Sequence, residues 1–405
     1  MAHVKSMNAY ELTKAGPLTG KAAIAVVATM IGVAFCGSTV VTPLYIVYEQ
    51  TFHFSKIVLT LIYASYVVGN LSALLFFGRL SDQIGRRRVG LAALAICAAS
   101  SLLFVFATGV TELFVARIVI GLGVGISAGT GTAWLAELLG KEKARAATIA
   151  TASNFLGLAL GPLVSGILAD YAPWPLQLPF FVYLAVVALT ALLIARTMET
   201  VAHPRALSSV SLKPRVGVPR NLRAAFVAPA LAGAASMSLT GFYAALMPSI
   251  LAESLNLKSH TIAGALVFEL AVIVSAAIVL TRNVKSQTAM LWALALLIPS
   301  APLVVAAQYW ASLPVMLIGT AFCGVSSALG YRGSLQVVNE IAPADRRAEV
   351  VSAYFVACFS GNSIPIIGVG ILSALVDPVI ATAALAAMIA LFALAAIPLA
   401  LKYRS

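Results

Sequence analysis

Gly78-Arg79-Leu80-Ser81-Asp82-Gln83-Ile84-Gly85-Arg86-Arg87-Arg88 is a polar island between two apolar runs, at approximately 57 to 78 and 89 to 108. Each run is about 20 residues long, the length an α-helix needs to cross roughly 30 Å of hydrocarbon. Gly78 and Gly85 permit tight turning. The arginine run resists transfer through lipid and holds the loop on one side. Asp82 can bind a cation or cap a neighbouring helix N-terminus. The stretch therefore reads as a charged hairpin between two membrane-spanning helices.

The same pattern extends over the whole chain. Of 405 residues, 61% are hydrophobic and 10% charged, against about 45–50% and 25% in an average soluble domain, which excludes a water-soluble fold. Twelve apolar runs are legible. Six lie at approximately 22 to 48, 57 to 78, 89 to 108, 112 to 138, 146 to 169 and 178 to 196. Six more lie at 224 to 252, 261 to 281, 288 to 307, 313 to 338, 350 to 373 and 378 to 401. The polar N-terminus followed by a long first run predicts no cleaved signal peptide. The four cysteines, Cys36, Cys97, Cys323 and Cys358, fall inside apolar runs without metal-ligand spacing, so neither disulfides nor a metal are expected.

Charge sets the expected orientation. With the N-terminus inside, the cytoplasmic segments carry Lys5, Lys14, Lys21, Arg79, Arg86, Arg87, Arg88, Lys141, Lys143, Arg145, Arg282, Lys285, Arg346, Arg347, Lys402 and Arg404, while the outside loops carry Lys56 and Lys258. Both termini are thus expected in the cytoplasm. The net charge of +12 is accounted for by this bias, and no nucleic-acid partner is expected. Residues 197–223, with Pro204, Pro214, Pro219 and basic Arg205, Lys213, Arg215, Arg220 and Arg223, read as a cytoplasmic linker. It separates an N-terminal six-helix bundle over 1–196 from a C-terminal one over 224–405. An offset of about 203 residues brings Gly121 onto Gly324, Glu137 onto Glu340, Pro162 onto Pro365 and Arg79 onto Arg282, the mark of a repeated half.

Gly78 to Arg88 resembles motif A of the major facilitator superfamily, with Gly78, Arg79, Asp82, Gly85, Arg86 and Arg87 on its pattern and Gln83 departing from a usual basic residue. Gly157, Gly161, Pro162 and Gly166 resemble the antiporter signature of that superfamily, partially, since Thr148 and Ser165 stand where the fuller pattern has glycine. Arg117, leading Gly121, Gly125 and Gly129, resembles motif B. The resemblance implies an all-α membrane protein, twelve transmembrane helices in two pseudo-symmetric six-helix bundles, with a central cavity open alternately to each side. In that family the motif A acid helps lock the halves in the outward-open state, the antiporter signature marks exporters that exchange substrate for protons, and the motif B arginine takes part in proton transfer.

Ionisable groups inside spans are costly and point to function. Glu269 is the only carboxylate placed clearly within an apolar run. A carboxyl withdrawn from water favours its neutral form, so Glu269 is the first proton-coupling candidate, with Arg117 and Arg332 as basic partners. Glu137 and Glu340, near Arg145 and Arg347, are candidate gates at the cytoplasmic helix ends. Tyr45, Tyr63, Tyr66, Asn154, Tyr243, Asn339, Tyr354 and Asn362 are candidates for lining the cavity, although most such aromatics pack or anchor. His53 and His260 fall in outside loops without metal-like companions.

No phosphate loop, HExxH helix or nucleophile elbow is present, so the expected protein is not an enzyme, needs no cofactor, and draws energy from a gradient. The function expected is proton-coupled efflux of a small drug-like or amphipathic compound. The partners are then that small-molecule substrate, protons and the lipid bilayer, with a monomer as the working unit in a bacterial cytoplasmic (inner) membrane. Proton-coupled uptake of an organic anion, with Arg117 and Arg332 as carboxylate clamps, is the alternative. A non-transporting sensor or scaffold is the alternative of another class.

Overall fold

A computed structural model of the chain describes residues 18–202 and 216–402. Lys5, Lys14, Arg404 and the middle of the linker, with Pro204, Arg205, Lys213, Pro214 and Arg215, lie outside the described residues.

Each of the twelve apolar runs is a helix, and the described residues contain no strand. The first span is broken. Helix α1 (Gly20–Thr39) ends before a single 3-10 turn, Thr42–Leu44, and α2 (Tyr45–Phe52) completes the crossing. Pro43 lacks the N–H that a continuous helix would use there. Then follow α3 (Lys56–Phe77), the short α4 (Leu80–Ile84), α5 (Arg86–Val105), α6 (Val110–Leu139), α7 (Lys143–Tyr171) and α8 (Leu178–Ala195). Beyond the linker come α9 (Arg223–Ser254), α10 (His260–Leu280), α11 (Ser286–Tyr309), α12 (Leu313–Ile341), α13 (Arg347–Leu375) and α14 (Pro378–Lys402). Several helices outrun their apolar stretch; α13 spans Arg347–Leu375 where hydropathy predicts 350 to 373. Backbone hydrogen bonding continues past the lipid boundary until a turn stops it.

These helices form two six-helix bundles. In the first, α6 packs on α1, α3 and α5, and α1 also packs on α7. In the second, α12 packs on α9, α10 and α11, while α14 packs on α9 and α11. Two pairs carry most of the contact between bundles, α7 with α10 and α3 with α13.

Large apolar side chains on the outer surface, among them Leu189, Leu192, Leu280, Leu391 and Leu394, are exposed. In a bilayer that surface meets acyl chains rather than water. Leu18 bridges to Thr197, so the chain enters the first bundle and leaves it at one end of the molecule. This end also carries Arg79, Arg86, Arg87, Arg88, Arg145, Arg282 and Arg347, and is called the basic end below. Tyr171, Trp174, Tyr309 and Trp310 are exposed around the opposite end, where aromatic rings suit a membrane–water boundary.

Candidate functional site

A cavity of about 670 Å³ lies between the bundles, within the range of small-molecule sites. Its first-bundle wall includes Phe35, Ser38, Tyr63, Tyr66, Asn70, Arg117, Thr151, Asn154 and Phe155; its second-bundle wall includes Met237, Thr240, Tyr331, Phe355, Phe359 and Asn362. The lining reaches Gly78, Ala136 and Ala147, in the last turns at the basic end. Among the described lining residues Arg117 is the one charged side chain, and none is a carboxylate.

Arg117 sits at the head of the cavity, about two turns from the opposite end of α6. It is 2% exposed. Its Nη1 donates to the Ser38 carbonyl at 2.7 Å and its Nη2 to the Tyr63 carbonyl at 3.4 Å. The guanidinium carbon lies 4.8 Å from the Tyr66 ring centroid and 5.4 Å from that of Tyr63, a cation–π arrangement on two rings. Tyr63 Oη donates to Asn362 Oδ1 at 2.9 Å, and Asn362 Nδ2 donates to the Met237 carbonyl at 3.0 Å. A polar chain thus runs from Arg117 across the bundle interface.

From that head to the opposite end the bundles are closed. Glycines let the backbones meet: a Cβ on Gly166 would stand 2.4 Å from the His260 carbonyl oxygen, and one on Gly264 2.2 Å from that of Pro162. Asp170, at the end of α7, caps α10 of the other bundle. Its Oδ2 accepts from Ser259 Oγ and Thr261 N, each at 2.8 Å, and its Oδ1 accepts from His260 N at 3.1 Å and faces His260 Nδ1 at 2.7 Å. The carboxylate also complements the positive end of the α10 dipole. Lys56 on α3 pairs with Glu253 on α9 at the same end. Sequence reading placed His260 in an outside loop without metal-like companions and did not reach its contact with Asp170, 90 residues away.

Among the described residues the ion pairs at the basic end stay within one bundle. Arg86 binds Glu137 through both Nη2, at 2.6 Å, and Nε, at 3.2 Å, donates to Ser81 Oγ at 2.6 Å, and pairs with Asp82. Glu199, from the start of the linker, accepts from Arg86 N at 2.8 Å and Arg87 N at 3.0 Å, capping α5. Glu199 was missed in the sequence because no motif or apolar run contains it.

The expected pairings change accordingly. Glu137 bonds Arg86 rather than Arg145, which pairs with Glu142, and Glu340 accepts from Ser286 Oγ. The proximity of Arg145 and Arg347 in sequence did not reveal that helix starts across each bundle lie nearer. Arg332 points its guanidinium to the carbonyls of Thr281 and Val284, so it does not pair with Glu269. Both carbonyls lie just past the C-terminus of α10, where a basic side chain also complements the helix dipole. Glu269 is outside the cavity lining, and its Oε2 is buried without a hydrogen-bond partner among the described residues. Of the tyrosines and asparagines, Tyr63, Tyr66, Asn154 and Asn362 line the cavity. Tyr45, Tyr243 and Tyr354 are buried in helix packing, the last two bonded to Thr320 and Ser334, and Asn339 donates to the Leu335 carbonyl of its own helix.

On α7 a Cβ at Gly157 would lie 2.1 Å from the Gly32 carbonyl oxygen, and one at Gly161 2.5 Å from that of Cys36. The same helix carries Pro162 and Gly166 against α10. It therefore holds the first bundle on one face and the second on the other.

Two six-helix bundles around one cavity, closed at one end and parted at the other, define a polytopic membrane protein of the two-bundle carrier architecture. The family model of the Major Facilitator Superfamily matches residues 27–365, and the chain belongs to that family. It is 29% identical over 231 residues to Multidrug resistance protein MdtM of Salmonella typhimurium, covering 55% of this chain and 54% of that protein. It is 26% identical over 183 residues to Multidrug resistance protein 2 of Bacillus subtilis, covering 44% and 45%. It is 36% identical over 112 residues to Cephamycin export protein CmcT of Amycolatopsis lactamdurans, covering 27% and 23%. The chain spans about half the length, or less, of these curated relatives.

Proposed function

We propose that the protein is a secondary transporter that exports a small drug-like or amphipathic molecule in exchange for protons, as a monomer in a bacterial cytoplasmic membrane. The basic end faces the cytoplasm, in keeping with the lysine and arginine bias. The observation that carries the reading is the asymmetry of the cavity. Inter-bundle contacts involving Asp170, His260, Lys56 and Glu253 close the opposite end, while the lining reaches helix ends at the basic one. Breaking one set of contacts and forming the other would expose the same cavity to the far side. The names of the relatives, multidrug resistance and cephamycin export, support the outward direction.

In this cycle substrate enters from the basic end and rests on the aromatic wall. A proton arriving from the other side is taken by Glu269, the one mid-span carboxylate among the described residues and one whose Oε2 has no partner to compete for it. Glu269 acts on the cavity through α10, whose Val274 lines it. Asp82, half-exposed here and paired with Arg86 of its own bundle, would exchange that pair for a contact on the other bundle when the basic end closes. The substrate undergoes no bond chemistry.

Purified protein in liposomes with an imposed pH gradient tests this, with lipophilic cations, neutral antibiotics and organic acids as probes. The expected result is proton movement opposite to substrate, lost in Glu269→Gln. Movement of both in one direction would replace export with uptake, and no gradient-coupled flux with any class sinks the transport reading. Full coupling in Glu269→Gln removes that residue as the proton site.

A further inference from the structure

Among the described residues Arg117 is a buried charge without a counterion. Two of the five guanidinium N–H groups have carbonyl acceptors, Nε has none, and the remaining compensation comes from the Tyr63 and Tyr66 rings. The elements around it offer only neutral groups to the cavity: Ser38 from α1, Asn70 from α3, Asn154 from α7 and Asn362 from α13. A lone guanidinium in a low-dielectric site is costly unless an anion joins it, and no carboxylate of the described lining is available to do so.

We propose that the cavity selects aromatic or apolar amphiphiles bearing one acidic group, with Arg117 as the anion's partner, and disfavours lipophilic cations. This rests on the transport reading for its physiological meaning, but the binding site stands on the geometry alone. The flat apolar body lies between the aromatic side chains of the two bundles, Tyr66 on one wall and Phe355 and Phe359 on the other. Its acidic group takes the Nη donors of Arg117 that the Ser38 and Tyr63 carbonyls leave open. An organic cation would meet the same positive charge with no carboxylate to pair with. Because Tyr63 joins Arg117 to Asn362, an anion drawing on Arg117 also acts on a contact between the bundles.

Three probes of one shape separate the alternatives: 4-biphenylcarboxylate, its primary amide, and 4-biphenylmethyl-trimethylammonium, each titrated against the full chain in lipid nanodiscs. A charge-assisted contact in a dry site is worth roughly ten- to a hundredfold in affinity. The carboxylate should bind that much more tightly than the amide, and the ammonium should bind most weakly. Arg117→Gln should remove the preference for carboxylate while retaining amide binding. Arg117→Lys should keep part of the preference, since charge remains and the fork is lost. Ammonium binding at or above carboxylate binding, an unchanged preference in Arg117→Gln, or no binding of any probe overturns the proposal. The order among probes in the unmodified protein decides the matter even if the Arg117 variants fail to fold. Gradient-driven flux of the ammonium alone would leave transport standing and remove the anion site; carboxylate-selective binding without flux would do the reverse.

Discussion

Gly85 shows how much one residue can encode, and where a sequence stops speaking. Its φ of +108° is available to glycine and strained for other residues, and a Cβ there would stand 2.6 Å from Glu199 Oε2. The turn was legible from the motif, while the carboxylate that occupies the space beside it was not. Glu199 reaches Arg86 N from 113 residues away, through a segment with no pattern. Gly85→Ala should therefore cost about 1–3 kcal/mol through backbone strain and displacement of the cap, seen as a lower thermal midpoint in detergent. Glu199→Ala should cost about 1 kcal/mol by removing the α5 cap, and adding it to Gly85→Ala should cost less than the sum. Fully additive effects would mean that the two residues do not act on one structure. Arginines make the same point about legibility. Arg117 and Arg332 both sit in apolar runs and look alike in sequence, yet one heads the cavity and the other binds two carbonyls just past the end of α10.

Helices were the most legible level, because a run of about 20 apolar residues has few other uses. Even the interruption of the first span is explained by Pro43. Which face of each helix meets which neighbour was less so, and α7 is the instructive case. Its glycines suggest close approach, but only the fold shows that Gly157 and Gly161 serve α1 while Gly166 serves α10. Glu269 shows the same limit: a carboxylate in an apolar run announces its depth and not its direction, so its supposed pairing with Arg332 could not be judged from sequence. Gly157→Leu should push α7 off α1, since the new side chain would enter the Gly32 backbone. Overpacking of that kind costs about 1–3 kcal/mol. Unfolding in dodecylmaltoside followed by tryptophan fluorescence should show the loss, whereas Leu156→Ala, on the exposed face of the same helix, should change it by much less. Equal effects at the two positions would remove α7–α1 contact as the cause.

At the scale of the molecule the two bundles are related by a repeat, and the contacts between them break its symmetry. Glu137 of α6 binds the start of α5, and Glu340 of α12 binds the start of α11, one offset apart. Arg117 has no such twin, because the same offset of about 203 residues leads to Thr320, whose hydroxyl meets Tyr243. The asymmetry between ends is sharper. The exposed Lys56–Glu253 pair contributes little by itself, so the main polar latch at the opposite end is Asp170 on the α10 terminus. Those hydrogen bonds cross between bundles, so they stabilise this conformation and are absent once the end opens. Asp170→Asn keeps an acceptor but loses the charge. A loss of about 1.4 kcal/mol in one state alone shifts the balance between states about tenfold. Spin labels on Thr51→Cys and Lys258→Cys, exposed at that end on different bundles, report it once the four native cysteines are replaced. Pulsed dipolar spectroscopy should give one short distance in the parent protein and a second, longer population in Asp170→Asn. An unchanged distance distribution would mean that the closed end is held by helix packing of α7 on α10 and α3 on α13, with the carboxylate as a passenger.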